Sequence, residues 1–182
     1  MGKLILISGA SGAGKTTIGE SYFGKSNEAV SFTTRAKRHA EVDGVDYQFR
    51  TREEVLEMRA TGYLAEFSEY GGNLYGLTKQ ELDSKIANAS KHAYAVVDCH
   101  GMEQLKKLYP EAQTIFVALS LEETKKRLET RNETPEFISQ RTATYELEMY
   151  NASKYDFVLD NSKKLEETLE NLDKYLNQDI YK

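Results

Sequence analysis

An octapeptide close to the start of the chain, Gly9–Thr16 (GASGAGKT), constrains the fold more than any other feature of the sequence. It matches the pattern G-x-x-x-x-G-K-S/T, and a short apolar run, Lys3–Ser8 (KLILIS), directly precedes it. This pattern indicates phosphate binding when a buried strand leads into it and a helix leaves it. The sequence therefore predicts a strand over 3–8, a phosphate-binding loop and a short helix after Lys15.

The residue types in this loop fit the binding of a nucleoside triphosphate. Glycines let several backbone N–H groups face one phosphate, and the N-terminus of the following helix adds a partial positive charge. A lysine after the last glycine reaches the β- and γ-phosphates, and the next hydroxyl can ligate Mg²⁺. We therefore predict that ATP and Mg²⁺ bind here, with Lys15 as a catalytic residue and Thr16 as a metal ligand. The predicted ATP-binding residues are Gly9, Ala10, Ser11, Gly12, Ala13, Gly14, Lys15, Thr16 and Thr17.

Later apolar runs predict the rest of the core. Tyr94–Cys99 and Thr114–Leu119 are continuous rather than alternating, which is typical of strands covered on both faces of a parallel sheet. Asp156–Asp160 is predicted as a last strand. Strands that alternate with helices indicate an α/β fold, here a P-loop NTPase core whose parallel sheet is flanked by helices. The closing helix is predicted from an apolar stripe made of Leu165, Leu169, Leu172 and Leu176.

The stretch from about Val30 to Thr78 has a different character, because it is rich in Tyr, Gly and short polar–apolar alternation. We interpret it as a small β-rich lobe inserted beside the sheet, with a strand over Val30–Thr34. Within it, Thr51 and Glu54 form a capping box that predicts the start of a helix. Outside the lobe, helices are predicted over Lys79–Ala89 and Leu121–Arg131, and from an N-cap at Thr134 toward Ser153.

The composition limits the partners of such a chain. Its 182 residues, 40% hydrophobic and 29% charged, fit one soluble globular domain with a sizeable core. A formal net charge of −5 argues against nucleic acid or an acidic membrane as a partner, so an anionic substrate needs a local basic pocket. Cys99 is the only cysteine, and no apolar stretch reaches the ~20 residues that cross a bilayer. We expect a cytoplasmic protein whose partners are small-molecule nucleotides.

The order of three further motifs bears on function. TTRAKR (33–38) is followed by EVDGVDYQF (41–49) and then by AEFSEYGGNLYG (65–76). By charge alone, the two arginines of the first motif would be interpreted as a solvated basic loop. The series continues with VVD (96–98), RLETRNETPEFISQR (127–141) and YDFVLDN (155–161). In this order the motifs resemble the signature of guanylate kinases, over nearly the whole chain.

The resemblance implies one domain over 1–182 that phosphorylates GMP or dGMP with ATP. Its core would comprise 1–30, 79–120 and 142–182, its nucleoside-monophosphate-binding lobe 31–78, and its helical lid about 121–141. The resemblance also implies the roles of individual residues. Arginines that close over the transferred phosphate would be Arg127, Arg131 and Arg141. Asp98 would help Thr16 to hold Mg²⁺. The implied GMP-binding residues are Ser31, Arg35, Arg38, Tyr47, Glu66, Tyr75 and Asp98.

Two positions depart from the family pattern where it reads the base. Leu77 stands where the family generally has Ser or Thr, and His100 falls near a second guanine-reading aspartate. These departures keep open a related kinase that acts on another (deoxy)nucleotide or on ribose 1,5-bisphosphate. A kinase-dead binding module is a third interpretation, which the intact phosphate loop disfavours.

Overall fold

A parallel sheet forms the centre of the fold. The structure is a computed structural model that describes residues 2–10, 12–130 and 134–178, except for the side chains of Phe137, Gln140 and Arg141. Its strands run in the order β6-β1-β7-β8, and each neighbouring pair is parallel. The strands are β1 (Lys3–Gly9), β6 (His92–Val96), β7 (Gln113–Ala118) and β8 (Phe157–Asp160).

Side chains of β1 alternate between two apolar clusters, one on each face of this sheet. Leu4 and Leu6 belong to one cluster, and Ile5 and Ile7 belong to the other. The alternation is the period of two that a strand imposes. Both faces of β1 are therefore buried, as its continuous apolar sequence predicts.

Helices cover the sheet and connect its strands. The described ones outside the inserted lobe are α1 (Lys15–Phe23), α3 (Lys79–Asn88), α4 (Cys99–Leu108), α5 (Leu121–Thr130), α6 (Pro135–Ala143), α7 (Tyr145–Tyr150) and α8 (Leu165–Asn177). The apolar stripe predicted for the last of these faces inward, with Leu172 and Leu176 buried. None of the helices in the described ranges is both long and apolar enough to pass through a bilayer.

The stretch between α1 and α3 forms a second sheet, in the order β3-β2-β5-β4. Phe32, Val55 and Leu74 form its own small apolar core. The predicted capping box is confirmed, because the Thr51 hydroxyl accepts from the Glu54 N–H and the Glu54 carboxylate accepts from the Thr51 N–H. The elements are β2 (Phe32–Thr33), β3 (Gln48–Phe49), α2 (Arg52–Ala60), β4 (Leu64–Tyr70) and β5 (Asn73–Thr78).

Strand β2 is shorter than the predicted strand over Val30–Thr34. At Thr34 the side-chain hydroxyl, rather than a backbone carbonyl, accepts the Leu74 N–H at 2.9 Å. The Thr34 N–H still donates to the Leu74 carbonyl at 3.0 Å, so this position forms one of the two backbone hydrogen bonds of a regular pair.

Two predicted elements differ from the expected ones. β6 stops at Val96, because Asp98 is the N-cap of α4 and accepts the Gly101 N–H at 2.7 Å. The prediction of a strand to Cys99 was therefore wrong, and α4 was not predicted. The helix predicted from Thr134 toward Ser153 is also divided, into α6, α7 and a 3₁₀ turn over Asn151–Lys154.

Gly19 allows α1 to lie directly on the sheet. A Cβ atom at this position would lie 2.4 Å from the ring of Tyr94 on β6, which is fully buried.

We expect Gly19→Ala to lower the free energy of unfolding by about 1–3 kcal/mol, although alanine favours helix, because the added methyl overpacks this contact. Urea unfolding would measure the loss. The exposed Ser21→Ala on the same helix is the control, and equal stability of the two variants would contradict the close contact.

Candidate active site

A cleft of about 950 Å³ opens between the two sheets, and both of them line it. The core contributes Gly9, Lys15, Val96, Val97, Asp98 and Glu148. The second sheet and its loops contribute Ser31, Arg35, Arg38, Glu41, Tyr47, Glu66, Ser68, Tyr70, Gly71, Asn73, Tyr75 and Gly76. Most of the residues predicted from the sequence to bind a nucleotide therefore surround one space.

The phosphate loop starts where β1 touches β7. Gly9 has a φ of +146°, and a Cβ atom there would lie 2.3 Å from the carbonyl oxygen of Val117. Only glycine fits this turn without displacing backbone. The loop then closes with a hydrogen bond from the Ala13 N–H to the Ala10 carbonyl at 3.0 Å.

Helix α1 presents an open N-terminus to the cleft. Its N-cap is Gly14, which has a φ of +95° and no side chain to accept the first N–H groups. Such a terminus is an anion-binding site, because free N–H groups and the helix dipole act together. Lys15 bends back over the loop, and its Nζ donates to the carbonyls of Gly9 and Ala10 at 2.7 and 3.0 Å.

The residues near this loop also fit Mg²⁺ carried by a nucleotide. Thr16 lies in the exposed first turn of α1, one residue after Lys15, so its hydroxyl oxygen is accessible. Among the described residues no group of three His, Cys, Asp or Glu side chains could hold a metal ion alone. Mg²⁺ commonly takes one or two protein ligands and fills its other positions with phosphate oxygens and water, so a single hydroxyl such as that of Thr16 can serve as one of them.

Helix α5, from the predicted lid, packs directly on the loop. A Cβ atom at Gly12 would lie 3.5 Å from a methyl group of Leu128, which is buried. Arg127 donates from Nη2 to the backbone carbonyl of Asn161 at 2.8 Å, and its Nη1 lies 3.6 Å from where a Cβ of Gly14 would be. Of the three predicted lid arginines, Arg127 therefore lies beside the phosphate loop.

The other two predicted lid arginines, Arg131 and the side chain of Arg141, lie outside the described parts of the chain, as does Ser11 of the loop. Their roles stay predictions.

The predicted acceptor-phosphate arginines follow β2. The guanidinium of Arg35 donates to both oxygens of Glu41, at 2.6 and 3.1 Å, and the backbone N–H of Arg38 donates to the same carboxylate at 2.8 Å. Hydrogen bonding to Arg35 lowers the pKa of Glu41 below its usual value. Arg35 and Glu41 therefore form a charged pair beside Arg38, at one wall of the cleft. A carboxylate in the fork of Arg35 resembles one edge of a phosphate.

Two tyrosines face each other beside this pair. The rings of Tyr47 and Tyr75 are 6.2 Å apart and close to perpendicular, and the guanidinium carbon of Arg35 lies 5.5 Å from the centre of the Tyr47 ring. Burial, and then the neighbouring Tyr75, raise the pKa of Tyr47. Its hydroxyl therefore stays protonated and can donate a hydrogen bond. Ser31 precedes β2 and lines the same wall.

Glu66 lies on β4 and also lines the cleft. It is buried, and loss of solvation, followed by repulsion from Asp98, raises its pKa to about 8. Both carboxylates approach the start of α4: a Cβ atom at Gly101 would lie 3.2 Å from Oε2 of Glu66 and 3.4 Å from Oδ1 of Asp98. Asp98 thus lies beside the predicted base-reading carboxylate, and its metal role remains a prediction.

A pair of hydrogen bonds fixes Glu66 relative to Asp98. The side chain of Gln104 on α4 accepts the Phe67 N–H at 3.2 Å and donates to the Phe67 carbonyl at 3.1 Å. The amide therefore binds the backbone of β4 directly after Glu66, as a neighbouring strand would. This ties the edge of the second sheet to the helix that Asp98 caps.

The two departures from the family pattern have different surroundings. Leu77 is the cross-strand partner of Glu66 and is fully buried in the core cluster that includes Leu82 and Met102. Position 77 therefore places an apolar side chain, rather than a hydroxyl, next to the carboxylate. His100 is exposed on the first turn of α4.

Sequence reasoning missed several polar residues at the site. Glu41 is part of the second motif, but no role was predicted for it, although its spacing from Arg35 and Arg38 indicates a local charged pair. Ser68 lies on the strand face that carries Glu66, two residues further along β4, so the period of two could have indicated it. Glu148 enters the cleft from α7, and no local pattern indicates this.

Comparison with known proteins agrees with this geometry. The family model described as guanylate kinase matches residues 1–179. The chain belongs to the guanylate kinase family. The guanylate kinase of Bacillus subtilis (strain 168) is 38% identical over 135 residues, which are 71% of this chain and 66% of the relative. That of Streptococcus pneumoniae (strain R6) is 40% identical over 145 residues, which are 76% of this chain and 69% of the relative.

Structural comparison extends the similarity along the whole chain. The crystal structure of guanylate kinase from Anaplasma phagocytophilum superposes with a TM-score of 0.72 at 26% identity, covering 98% of this chain and 86% of that one. Membership of the guanylate kinase family confirms the resemblance seen in the motifs and the predicted α/β P-loop fold. The matched segments span about two thirds of the length of the two bacterial relatives.

The buried carboxyl group of Glu66 makes the stability of the empty protein depend on pH. Between its ordinary value of 4.5 and about 8, Glu66 is ionised in the unfolded chain and protonated in the folded one. The folded state then binds the extra proton, so stability falls as pH rises through this window.

We expect the wild type to lose more thermal stability between pH 5 and pH 8.5 than Glu66→Gln does. Glu69→Gln, an exposed change on the same strand, should follow the wild type. Parallel curves for wild type and Glu66→Gln would disprove the shifted pKa.

Proposed function

We propose that the chain transfers the γ-phosphoryl group of ATP to GMP or dGMP, giving ADP and GDP or dGDP. One observation carries the proposal: a single cleft is lined by Lys15 of the phosphate loop, by Arg38 after β2 and by the buried Glu66 on β4. Two of these groups suit phosphates, and the third suits the donor groups of a base. A nucleoside monophosphate and a triphosphate can therefore share the space.

The donor would bind with its phosphates on the loop. The N–H groups at the start of α1 and the ammonium of Lys15 supply the positive charge, because Gly14 leaves that helix end uncapped. Thr16, together with Asp98 as predicted, would hold Mg²⁺, which shields the charge of the β- and γ-phosphates when bound.

The acceptor phosphate would bind to Arg35, Arg38 and the hydroxyls of Tyr47 and Tyr75. Arg35 is already oriented by Glu41, so little side-chain entropy is lost when the phosphate arrives. The oxygen that attacks belongs to this phosphate, which is mostly a dianion at pH 7. No general base is needed, and none is proposed.

The base would be read by Glu66 with Asp98 nearby. Guanine presents two donors on one edge, its N1–H and its exocyclic amine, and an ionised carboxylate only accepts hydrogen bonds. Burial raises the pKa of Glu66 to about 8 in the empty protein, so guanine would bind as Glu66 gives up its proton, and the two donors would stabilise the resulting charge. Adenine presents a lone pair at N1, which would repel that charge, so the ionised form of Glu66 favours guanine although Leu77 offers no hydroxyl.

In the transfer, a P–O bond forms between the acceptor oxygen and the γ-phosphorus while the bond to the β,γ-bridging oxygen breaks, and ADP leaves. Lys15 and the arginines of the acceptor wall and the lid stabilise the charge that the transferred group carries in the transition state. Exclusion of water from the closed cleft would prevent hydrolysis of ATP.

Removal of the loop lysine tests the donor site. We expect Lys15→Ala to lower kcat at least ~100-fold while thermal stability stays close to wild type, because the ammonium donates to the loop carbonyls of Gly9 and Ala10 and is not part of the apolar core. A coupled assay with GMP and ATP–Mg²⁺ would measure this. Lys163→Ala, which removes an exposed ion pair with Glu167, is the control. Near-normal turnover by Lys15→Ala would rule out the proposed kinase activity.

Exchange of the base-reading carboxylate tests the acceptor. We expect the wild type to prefer GMP or dGMP over AMP, CMP, UMP and dTMP in kcat/KM. Glu66→Gln should reduce the guanine-to-adenine ratio by at least tenfold, because the amide can donate to the adenine N1. The exposed Glu69→Gln should keep the wild-type ratio. A wild-type preference for an adenine or pyrimidine nucleotide by tenfold or more would exclude the guanylate substrate but not the kinase reaction.

A further inference from the structure

A buried amide behind the phosphate loop connects three elements. Asn161 follows β8 and is only 5% exposed. Its Nδ2 donates to the Ala13 carbonyl at 2.7 Å, and its Oδ1 accepts from the hydroxyl of Thr168 on α8 at 3.1 Å. Its backbone N–H donates to the Ala118 carbonyl at 2.9 Å. Both ends of the side-chain amide therefore have a hydrogen-bond partner, one on the phosphate loop and one on α8.

The bond to Ala13 fixes the direction of the next N–H group. In a planar trans peptide the carbonyl and the following N–H point in opposite directions. The Ala13 carbonyl points to Asn161, so the Gly14 N–H points away from Asn161. Gly14 itself lies against the amide, since a Cβ atom there would be 2.6 Å from Nδ2 of Asn161.

The same residue also holds a lid arginine. The backbone carbonyl of Asn161 accepts from Arg127 at 2.8 Å, and this guanidinium lies next to Gly14. One residue thus bonds to the donor loop and to the first arginine of α5. The contact of Asn161 with Ala13 spans 148 positions of sequence, so the motif over 155–161 that contains Asn161 does not indicate it.

We propose that Asn161 is a positioning residue for the donor nucleotide: it orients the Ala13–Gly14 peptide of the phosphate loop, and Thr168 keeps its amide in the required orientation. It acts through the loop and does not touch the acceptor. This inference rests on the proposed function only in naming ATP as the donor.

The isosteric change Asn161→Asp tests it, because a carboxylate would face the Ala13 carbonyl with like charge while still accepting from Thr168. Calorimetry with ATP–Mg²⁺ and with ADP–Mg²⁺, without any acceptor, should show affinity lowered at least about tenfold. Affinity for GMP, titrated alone, should change less than twofold. Thr114→Val is the matched control. It removes a buried hydroxyl that is bonded to Asp156 and not to the phosphate loop, so it should lower stability but leave ATP affinity unchanged.

Thr168→Val keeps the test decisive if Asn161→Asp does not fold. Loss of this hydroxyl frees the amide to rotate, so ATP affinity should fall about threefold while GMP affinity holds. Wild-type ATP affinity in a folded Asn161→Asp, or in Thr168→Val when Asn161→Asp does not fold, would overturn the proposal and leave a purely structural role. Equal losses for ATP and GMP would overturn it too. These titrations measure binding and require no turnover. The proposed function is tested separately, by the turnover of the wild type with GMP and ATP–Mg²⁺.

Discussion

The contact between Gly9 and β7 is the constraint on which the rest of the cleft depends. Because no Cβ atom fits beside the Val117 carbonyl, the backbone can leave β1 here only as glycine. β1 lies between β6 and β7, so the loop emerges at the middle of the sheet, at the carboxyl ends of its strands. Ligands of open parallel sheets bind at this edge. Helices α4 and α5 begin beside it, so Asp98 lines the cleft and Arg127 lies next to the phosphate loop.

Local distribution of charge, rather than net charge, suits the cleft to its ligands. The chain is acidic overall, at −5, yet its cleft places Lys15 and Arg35 where phosphates would lie. Acidic groups near them have separate tasks. Glu41 neutralises and orients Arg35, while Glu66 and Asp98 lie at the end that would hold a base. Burial then determines the behaviour of Glu66, because a carboxylate without solvent and without a cation takes up a proton.

Features coded by neighbouring residues could be predicted from the sequence. The phosphate loop, its flanking strand and helix, and the capping box at Thr51 depend on short spacings, and the structure has all of them. Features that depend on distant elements could not. A short apolar run does not reveal that Asp98 would leave the strand and cap a helix. Nor could spacing show that Asn161 would reach Ala13, since that contact exists only once β8 lies beside β7. The family motifs indicated the proposed acceptor residues, whereas the side chains that hold them in place, such as Glu41 and Gln104, became visible only in the structure.

Leu77 shows how substrate range and folding become tied to one position. In this chain it packs in the core cluster while it is also the strand partner of Glu66. A later exchange for a hydroxyl residue would change the surroundings of the base, but it would also empty part of a close-packed interior. Selection on base preference and selection on fold integrity therefore act on the same side chain. An exchange at Leu77 would need compensating changes among the neighbouring core residues, whereas Ser68 lines the same cleft outside the core and can be exchanged without them.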